Sequence, residues 1–350
     1  MGYVSFLVKK TIIYFTVLFA TMTILYIFTF PVLQEVILKS INFQVAQFTQ
    51  VLLRHETNVN VTLLHEKIQQ YKEYLIASYG LNQPIMVRYF IQMYDLLTFH
   101  FGDSYFIQAP SGSREVSAII AYYLPNTILL FTTSTIIYII VGTLIGLLSA
   151  KSRFWEKVIG VIAVVHSSIP TWWLGFILIS ALAYGVKLFP PGGMTSVPPP
   201  KNPIDYGLSV MYHMALPFLS IFIVNVGGFA YIVRSLVTTT MKEDFVMTAR
   251  ARGLPESRVL YKHVLRTASP SIATQAILAI AASMAGGLTT EVVFEWPGVG
   301  YLTYVSIMQD DLPVILGVTY VLTIVLLVGL FLGELVYGLL DPRIKVGEEG

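Results

Sequence analysis

"EDFVMTARARGLPESRVLYKHVLRT", residues 243–267, is polar and basic, lies between two long apolar stretches, and is broken once, at Gly253-Leu254-Pro255. The residue order predicts a helix from Met241 to Arg252, continuing the apolar stretch before it. Gly253 suits the left-handed position that ends a helix. Leu254 precedes proline and is pushed off helical geometry. Pro255 suits the opening of a second helix. On that helix Arg258, Lys262 and Arg266 recur every four residues as a basic stripe, while Leu260, Val264 and Ala268 share another face. Thr248, Ala249 and Ala251 are small enough for close docking. The pattern predicts two short helices joined by a rigid elbow. The charge alone fits two readings: a surface that another protein grips, or a turn holding basic residues on one side of a membrane.

The rest of the chain decides what surrounds the elbow. Of its 350 residues, 55% are hydrophobic and only 12% charged, with a mean hydropathy of +0.70. Soluble chains carry about 25% charged residues, so a bilayer is the expected solvent. A net charge of +2 points to neither a nucleic-acid nor an acidic partner. The absence of cysteine excludes disulfides, thiolate metal sites and cysteine nucleophiles. Six stretches reach the length of roughly 20 apolar residues that a crossing helix needs: 11–33, 127–150, 158–184, about 214–233, about 270–290 and 312–333. The fifth is rich in small and hydroxyl residues, which suits a span inside a bundle. The first is too long for a secretory signal and lacks a cleavage site. The expected fold is an all-α polytopic membrane protein with six transmembrane helices: residues 1–33 as an N-terminal end and first span, 34–126 as a helical extracytoplasmic insertion, and 127–350 as a core whose loop 235–268 contains the elbow.

Lysine and arginine set the orientation. With the N-terminus inside, the inner segments hold Lys9, Lys10, Lys151, Arg153, Lys157, Arg234, Lys242, Arg250, Arg252, Arg258, Lys262, Arg266, Arg343 and Lys345; the short outer loops hold Lys187 and Lys201. Both termini and the elbow are therefore expected in the cytoplasm. In the long outer loop, Leu64, Ile68, Tyr71 and Leu75 share a helical face, Gly80 suits a helix stop, and Pro84 suits the first turn of another helix to about Thr98. These amphipathic helices are expected on the bundle or the bilayer surface. Six prolines from Pro190 to Pro203 rule out regular helix over 185–212. Pro297-Gly298 and Gly300 predict a tight re-entry, and Asp310 or Asp311 is placed to cap the last span.

Motifs of catalysis are missing. There is no phosphate-cradling P-loop, no H-E-x-x-H and no G-x-S-x-G. His166 lies in a span, and a helix–helix hydrogen bond is the favoured reading. Pro170 beside Trp172 and Trp173 predicts a kink, of use to a gate or to packing alone. Gly142/Gly146 and Gly329/Gly333 are GxxxG pairs that permit close helix contact. No catalytic residue, bound cofactor or metal site is expected.

"TARARGL" (248–254), followed ten residues after Gly253 by "HVLR", resembles the coupling loop of ABC importer permeases. More narrowly, the chain is similar to the oligopeptide/dipeptide permease family, in its first-permease branch. "YGLNQP" with "FGDS", "YYLPNTILL", "SSIPTWWLGFILI", "TEVVFEWPGVGYLTYVSIMQDDLP" and "ELVYGLLDPRIK" resemble the family's other runs, in the family's order. Met247 and Glu334 depart from its usual Arg and Asp. The stretch before "YGLNQP" is longer than in many members.

The resemblance implies a type I importer fold and four kinds of partner. These are a homologous second permease, two ATP-binding subunits that hold ATP and magnesium, an extracytoplasmic substrate-binding protein, and the lipid bilayer of the cytoplasmic membrane. It implies that the ATPases are gripped through Asp244, Thr248, Ala249, Arg250, Ala251, Gly253, Leu254, Pro255 and His263. Pro170, Trp172, Trp173, Glu291, Pro297, Gly298 and Gly300 are the gate or kink candidates. Oligopeptides are the expected cargo, with oligosaccharides as the alternative and nickel a lesser one.

Overall fold

In the computed structural model, residues 3–55, 61–150 and 153–340 are described. The closing Asp341-Pro342-Arg343, and Lys151 and Lys345 of the charge count, lie outside the described residues. The order is α1 (Tyr3–His55), α2 (Val61–Ser78), α3 (Ile85–Leu97), α4 (Val116–Ser149), α5 (Arg153–Ser168), α6 (Thr171–Leu178, running on as a π-helix over Ile179–Gly185), α7 (Pro203–Thr240), α8 (Asp244–Ala251), α9 (Glu256–Arg258), a π-helical turn Val259–Val264, α10 (Leu265–Ser283), α11 (Leu288–Val293), α12 (Val299–Met308) and α13 (Leu312–Leu340). The described residues form helices and loops, with one isolated bridge, Asp103 to Glu115.

Among the described residues, five helical runs are long and apolar enough to cross a membrane, and a pair bent by 88°, Lys157–His166 and Thr171–Gly185, is long and apolar enough when taken together. The bend falls at Pro170, where the sequence predicts it. Pro170 has no N–H to continue the α5 ladder, and its extended backbone (ψ 135°) opens α6 instead.

Other expected boundaries shift. The helix that holds the first span does not stop at residue 33: α1 passes through Pro31 and continues to His55. Residues 203–212 are helical, against the expectation from their prolines. Asn202 caps the helix by accepting from the Ile204 N–H at 3.1 Å, and Pro203 stands at the first turn, where a missing N–H costs nothing. The fifth span ends at Ser283 rather than 290, because Gly286 adopts φ +70° and α11 begins afresh after Gly287.

The chain forms two compact units, residues 15–102 and residues 1–14 with 103–350. In the smaller, α2 turns Leu64, Ile68, Tyr71 and Leu75 inward as their spacing predicts. Tyr71 stacks on Phe48 of α1 at 4.3 Å. Gly80, at φ +67°, ends α2, with its N–H on Ala77 and the Leu81 N–H on Ile76.

The larger unit is built on close helix contacts. A methyl group on Gly146 of α4 would sit 2.7 Å from the Ala230 carbonyl oxygen of α7, and one on Gly142 3.2 Å from the Ala230 nitrogen. Gly329 and Gly333 of α13 meet Ala281 and Ile277 of α10 in the same way, at 3.0 and 2.6 Å. Both GxxxG pairs are thus contact sites. In lipid, where apolar burial adds little, such close packing carries much of the helix association.

Candidate functional site

The elbow is built by local backbone rules. α7 stops at Thr240, so the expected continuous helix from Met241 to Arg252 is interrupted. Glu243 is extended (ψ 146°) and opens α8. Gly253 adopts φ +75°. Its N–H bonds to the Arg250 carbonyl at 2.9 Å and the Leu254 N–H to the Ala249 carbonyl at 3.4 Å, the pair of bonds of a Schellman helix end. Nothing lies within 4 Å of a methyl placed on Gly253, so its requirement is the left-handed backbone and not space. Pro255 precedes α9 in an extended conformation. Across the break, the Arg250 guanidinium grips the Glu256 carboxylate through two bonds of 2.7 and 3.3 Å. An exposed pair adds at most about 1 kcal/mol, but this one spans the elbow's hinge.

The inner face of the elbow is fused to the ends of three spans. Val246, Ala249, Val259, Leu260, Val264 and Ala268 are buried in one cluster with Leu147 of α4 and Ala150 just after it, Phe229, Val233 and Val237 of α7, and Ile272 of α10. Leu254 packs against the same cluster. Ala249 therefore points into the chain's own core. Asp244, Thr248, Arg250, Ala251, Gly253 and Pro255 are exposed, and His263 is half-buried in the π-helical turn. The exposed face of α8 also presents Phe245 and Met247, which the residue order does not single out because exposure is not written in a short basic stretch. Arg234, legible in the sequence only as one of the inner charges, is buried and donates to the Ser149 carbonyl, closing the end of α4.

At the opposite end of the bundle, Glu291 is wholly buried in α11. Its carboxylate accepts from the Thr127 hydroxyl at 2.7 Å and the Tyr301 N–H at 2.9 Å. Thr127 in turn accepts from the Val299 N–H at 2.7 Å, Trp296 Nε1 donates to the Asn126 carbonyl at 2.9 Å, and Asn126 donates to the Pro297 carbonyl at 2.8 Å. The "PNT" and "EWPGVGY" runs are one lock. The turn expected at Pro297-Gly298 is present, with the Gly298 N–H on the Trp296 carbonyl at 2.7 Å, but Gly298 itself has an ordinary extended backbone that does not require glycine. A methyl there would lie 2.5 Å from the Glu291 carboxyl group, and one on Gly300 would lie 3.0 Å from Oε2. Gly298 makes room for the carboxylate, and Gly300 makes room first for the Leu288 backbone, at 2.7 Å, and then for the carboxylate. Burial pushes the Glu291 pKa up to about 7, against the pull of the Thr127, Tyr301 and Gly300 donors.

A second buried carboxylate lies nearby in sequence. Asp311 accepts from the Ser104 hydroxyl and from the N–H groups of Phe106 and Tyr105, at 2.6, 3.0 and 3.3 Å. Asp310, at φ +55°, ends α12. Asp311 does stand at the start of α13, its carbonyl receiving the Ile315 N–H, but its side chain turns to 104–106 instead of capping that helix.

Between these ends lies a cavity of about 460 Å³. Phe131, Thr135 and Tyr138 of α4, Pro170, Thr171 and Trp172 at the bend, Asn225 of α7, and Ser283, Thr289 and Thr290 line it. The bend thus places Pro170 and Trp172 on the cavity; Trp173 is exposed elsewhere. His166 makes no helix–helix hydrogen bond: its Nδ1 is buried without a partner among the described residues, facing Gly227, which offers no side chain.

The elbow, the cavity and the two locked loops belong to one helical chain with membrane-spanning segments. Residues 142–346 match the family described as the binding-protein-dependent transport system inner membrane component, and the chain belongs to that family. It is 32% identical over 286 residues to the oligopeptide transport system permease protein AppB of Bacillus subtilis, covering 81% of this chain and 88% of that one. It is 34% identical over 278 residues to the dipeptide transport system permease protein DppB of the same organism (79% and 84%), and 29% over 312 residues to the metal-staphylopine import system permease protein CntB of Staphylococcus aureus (87% and 94%). The fold matches a chain of the MetNI methionine ABC transporter in an inward-facing conformation, with a TM-score of 0.50 at 15% identity, over 64% of this chain and 96% of that one. The protein is a multi-pass inner-membrane permease that works with ATPase and binding-protein partners and has no catalytic activity of its own.

Proposed function

We propose that this chain is one of two homologous permeases that together form the path of an importer for oligopeptides and dipeptides. Both termini and the elbow face the cytoplasm. Two ATP-binding subunits, carrying ATP and magnesium, dock on the exposed face of α8 and on Gly253 and Pro255. A binding protein delivers cargo on the opposite side. The observation that carries this reading is the elbow's buried face: Val246, Ala249, Val259, Leu260 and Val264 share one cluster with the ends of α4, α7 and α10. A pull on α8 is then passed to three spans together, as alternating access requires. A loosely tethered loop would absorb it.

The relatives named for oligopeptide and dipeptide transport support the cargo. So does the cavity lining, which offers hydroxyls, one carboxamide and aromatic rings, with no charged side chain. That surface suits a peptide backbone with varied side chains. The test is ATP hydrolysis by the assembled complex in lipid, with its binding protein, given a peptide pool or an oligosaccharide pool. Stimulation by peptides alone is expected. Stimulation by sugars alone would transfer the cargo, and silence with both would point to metal complexes. Gly253→Asp is expected to leave insertion intact and to uncouple the ATPase; normal transport by that variant would overturn the elbow's role.

A further inference from the structure

We infer that α3 (Ile85–Leu97) is seated in the bilayer, with lipid acyl chains covering its outward face. Three observations within the smaller unit carry this. First, every exposed residue of α3 is apolar: Ile85, Met86, Val87, Phe90, Ile91, Tyr94 and Leu97, with Met86 70%, Phe90 64% and Tyr94 67% exposed. Its polar residues Arg88, Gln92 and Asp95 are turned to the half-buried side. This is the reverse of a helix in water. The neighbouring α2 has the ordinary order, exposing Glu66, Lys67, Gln69, Gln70 and Glu73 while it buries Leu75.

Second, α3 packs on the part of α1 that crosses lipid. Tyr89 hydrogen-bonds Thr23 at 2.8 Å and meets the Tyr26 ring at 5.2 Å, and the Arg88 guanidinium lies 4.7 Å from the centre of the Phe30 ring. All three partners fall in 11–33, a stretch without a charged residue. Third, the placement of Arg88 obeys the rule for ionisable groups at membrane depth, which face protein and not lipid. α3 has 13 residues, about 20 Å, too short to cross. It lies within one leaflet, and a water-facing role would not select an unbroken apolar surface of this kind.

The chain has no cysteine, so single sites can be labelled without background once the partner subunits are also cysteine-free. The experiment places a nitroxide at Phe90→Cys, Tyr94→Cys and, as a reference on α2, Glu66→Cys, in the full complex in phosphatidylcholine vesicles. Collision with oxygen, which concentrates in lipid, is compared with collision with a water-soluble nickel chelate. Oxygen is expected to exceed nickel several-fold at 90 and 94, with the order reversed at 66. Nickel access at 90 and 94 would place α3 in water and overturn the inference. Protection from both reagents would assign the face to a protein partner and overturn it equally. Met86→Cys repeats the measurement if either variant fails to assemble.

Discussion

The Ser104 hydroxyl donates to the Asp311 carboxylate at 2.6 Å, joining residues 207 apart in the chain. With the Phe106 N–H on the same oxygen and the Tyr105 N–H on the other, the loop before α4 is tied to the start of α13. Asp311→Asn keeps the size but turns one acceptor into a donor facing N–H groups. We expect it to lower the stability of the assembled protein by about 2–3 kcal/mol, as for a buried donor left unpaired. Ser104→Ala leaves the backbone donors in place and is expected to cost about half as much. Thermal unfolding of the purified complex checks this; equal effects would mean that the backbone bonds carry little.

Gly298→Ala tests the Glu291 lock. Its backbone tolerates alanine, so the cost is spatial: a methyl 2.5 Å from the carboxyl group. Overpacking of this kind costs about 1–3 kcal/mol. Paired with Glu291→Ala, which empties the site, the two losses are expected to add to less than their sum. Full additivity in a double-mutant cycle would show that the two residues do not compete for that space.

The lock also predicts a pH dependence. Glu291 has a folded pKa of about 7, above its ordinary 4.5. Between those values the folded state holds a proton that the unfolded state has released, so stability falls as pH rises through that window. Glu291→Gln is expected to flatten this part of the stability profile, measured by unfolding between pH 4 and 8. An unchanged slope would remove Glu291 as its source.

At the elbow, the left-handed Gly253 sets an order of substitutions. Gly253→Asn is expected to be mildest, because asparagine visits positive φ, then Gly253→Ala, at about 1–2 kcal/mol, then the β-branched Gly253→Val. The same order is expected in the loss of cargo-stimulated ATP hydrolysis. A flat series would mean that the turn is not what couples.

The exposed residues of α8 give a separate prediction. Phe245→Ala and Met247→Ala leave the buried cluster untouched. They are expected to weaken assembly with the ATP-binding subunits several-fold without changing the level of the permease in the membrane. Co-purification yield measures this, and an unchanged yield would move the docking surface off that face.

By itself the sequence determined the features that neighbours along the chain dictate. Apolar runs marked the spans, because length and hydropathy decide where a helix meets lipid. Gly253 and Gly80 marked helix ends and Pro170 a break, because each acts on its own backbone. Period alone turned Leu64, Ile68, Tyr71 and Leu75 inward. Tertiary structure decided everything that depends on distant partners. Ala249 was legible as small but not as inward-facing, since its neighbours come from α4, α7 and α10. Gly298 and Gly300 read as turn residues, but not as the space that the Glu291 carboxylate and the Leu288 backbone occupy. Asp311 read as a cap and proved to be a tie to residues 104–106. In each case the deciding atom lies on another element, or across a fold in the chain, and a local pattern carries no record of which side chain will arrive there.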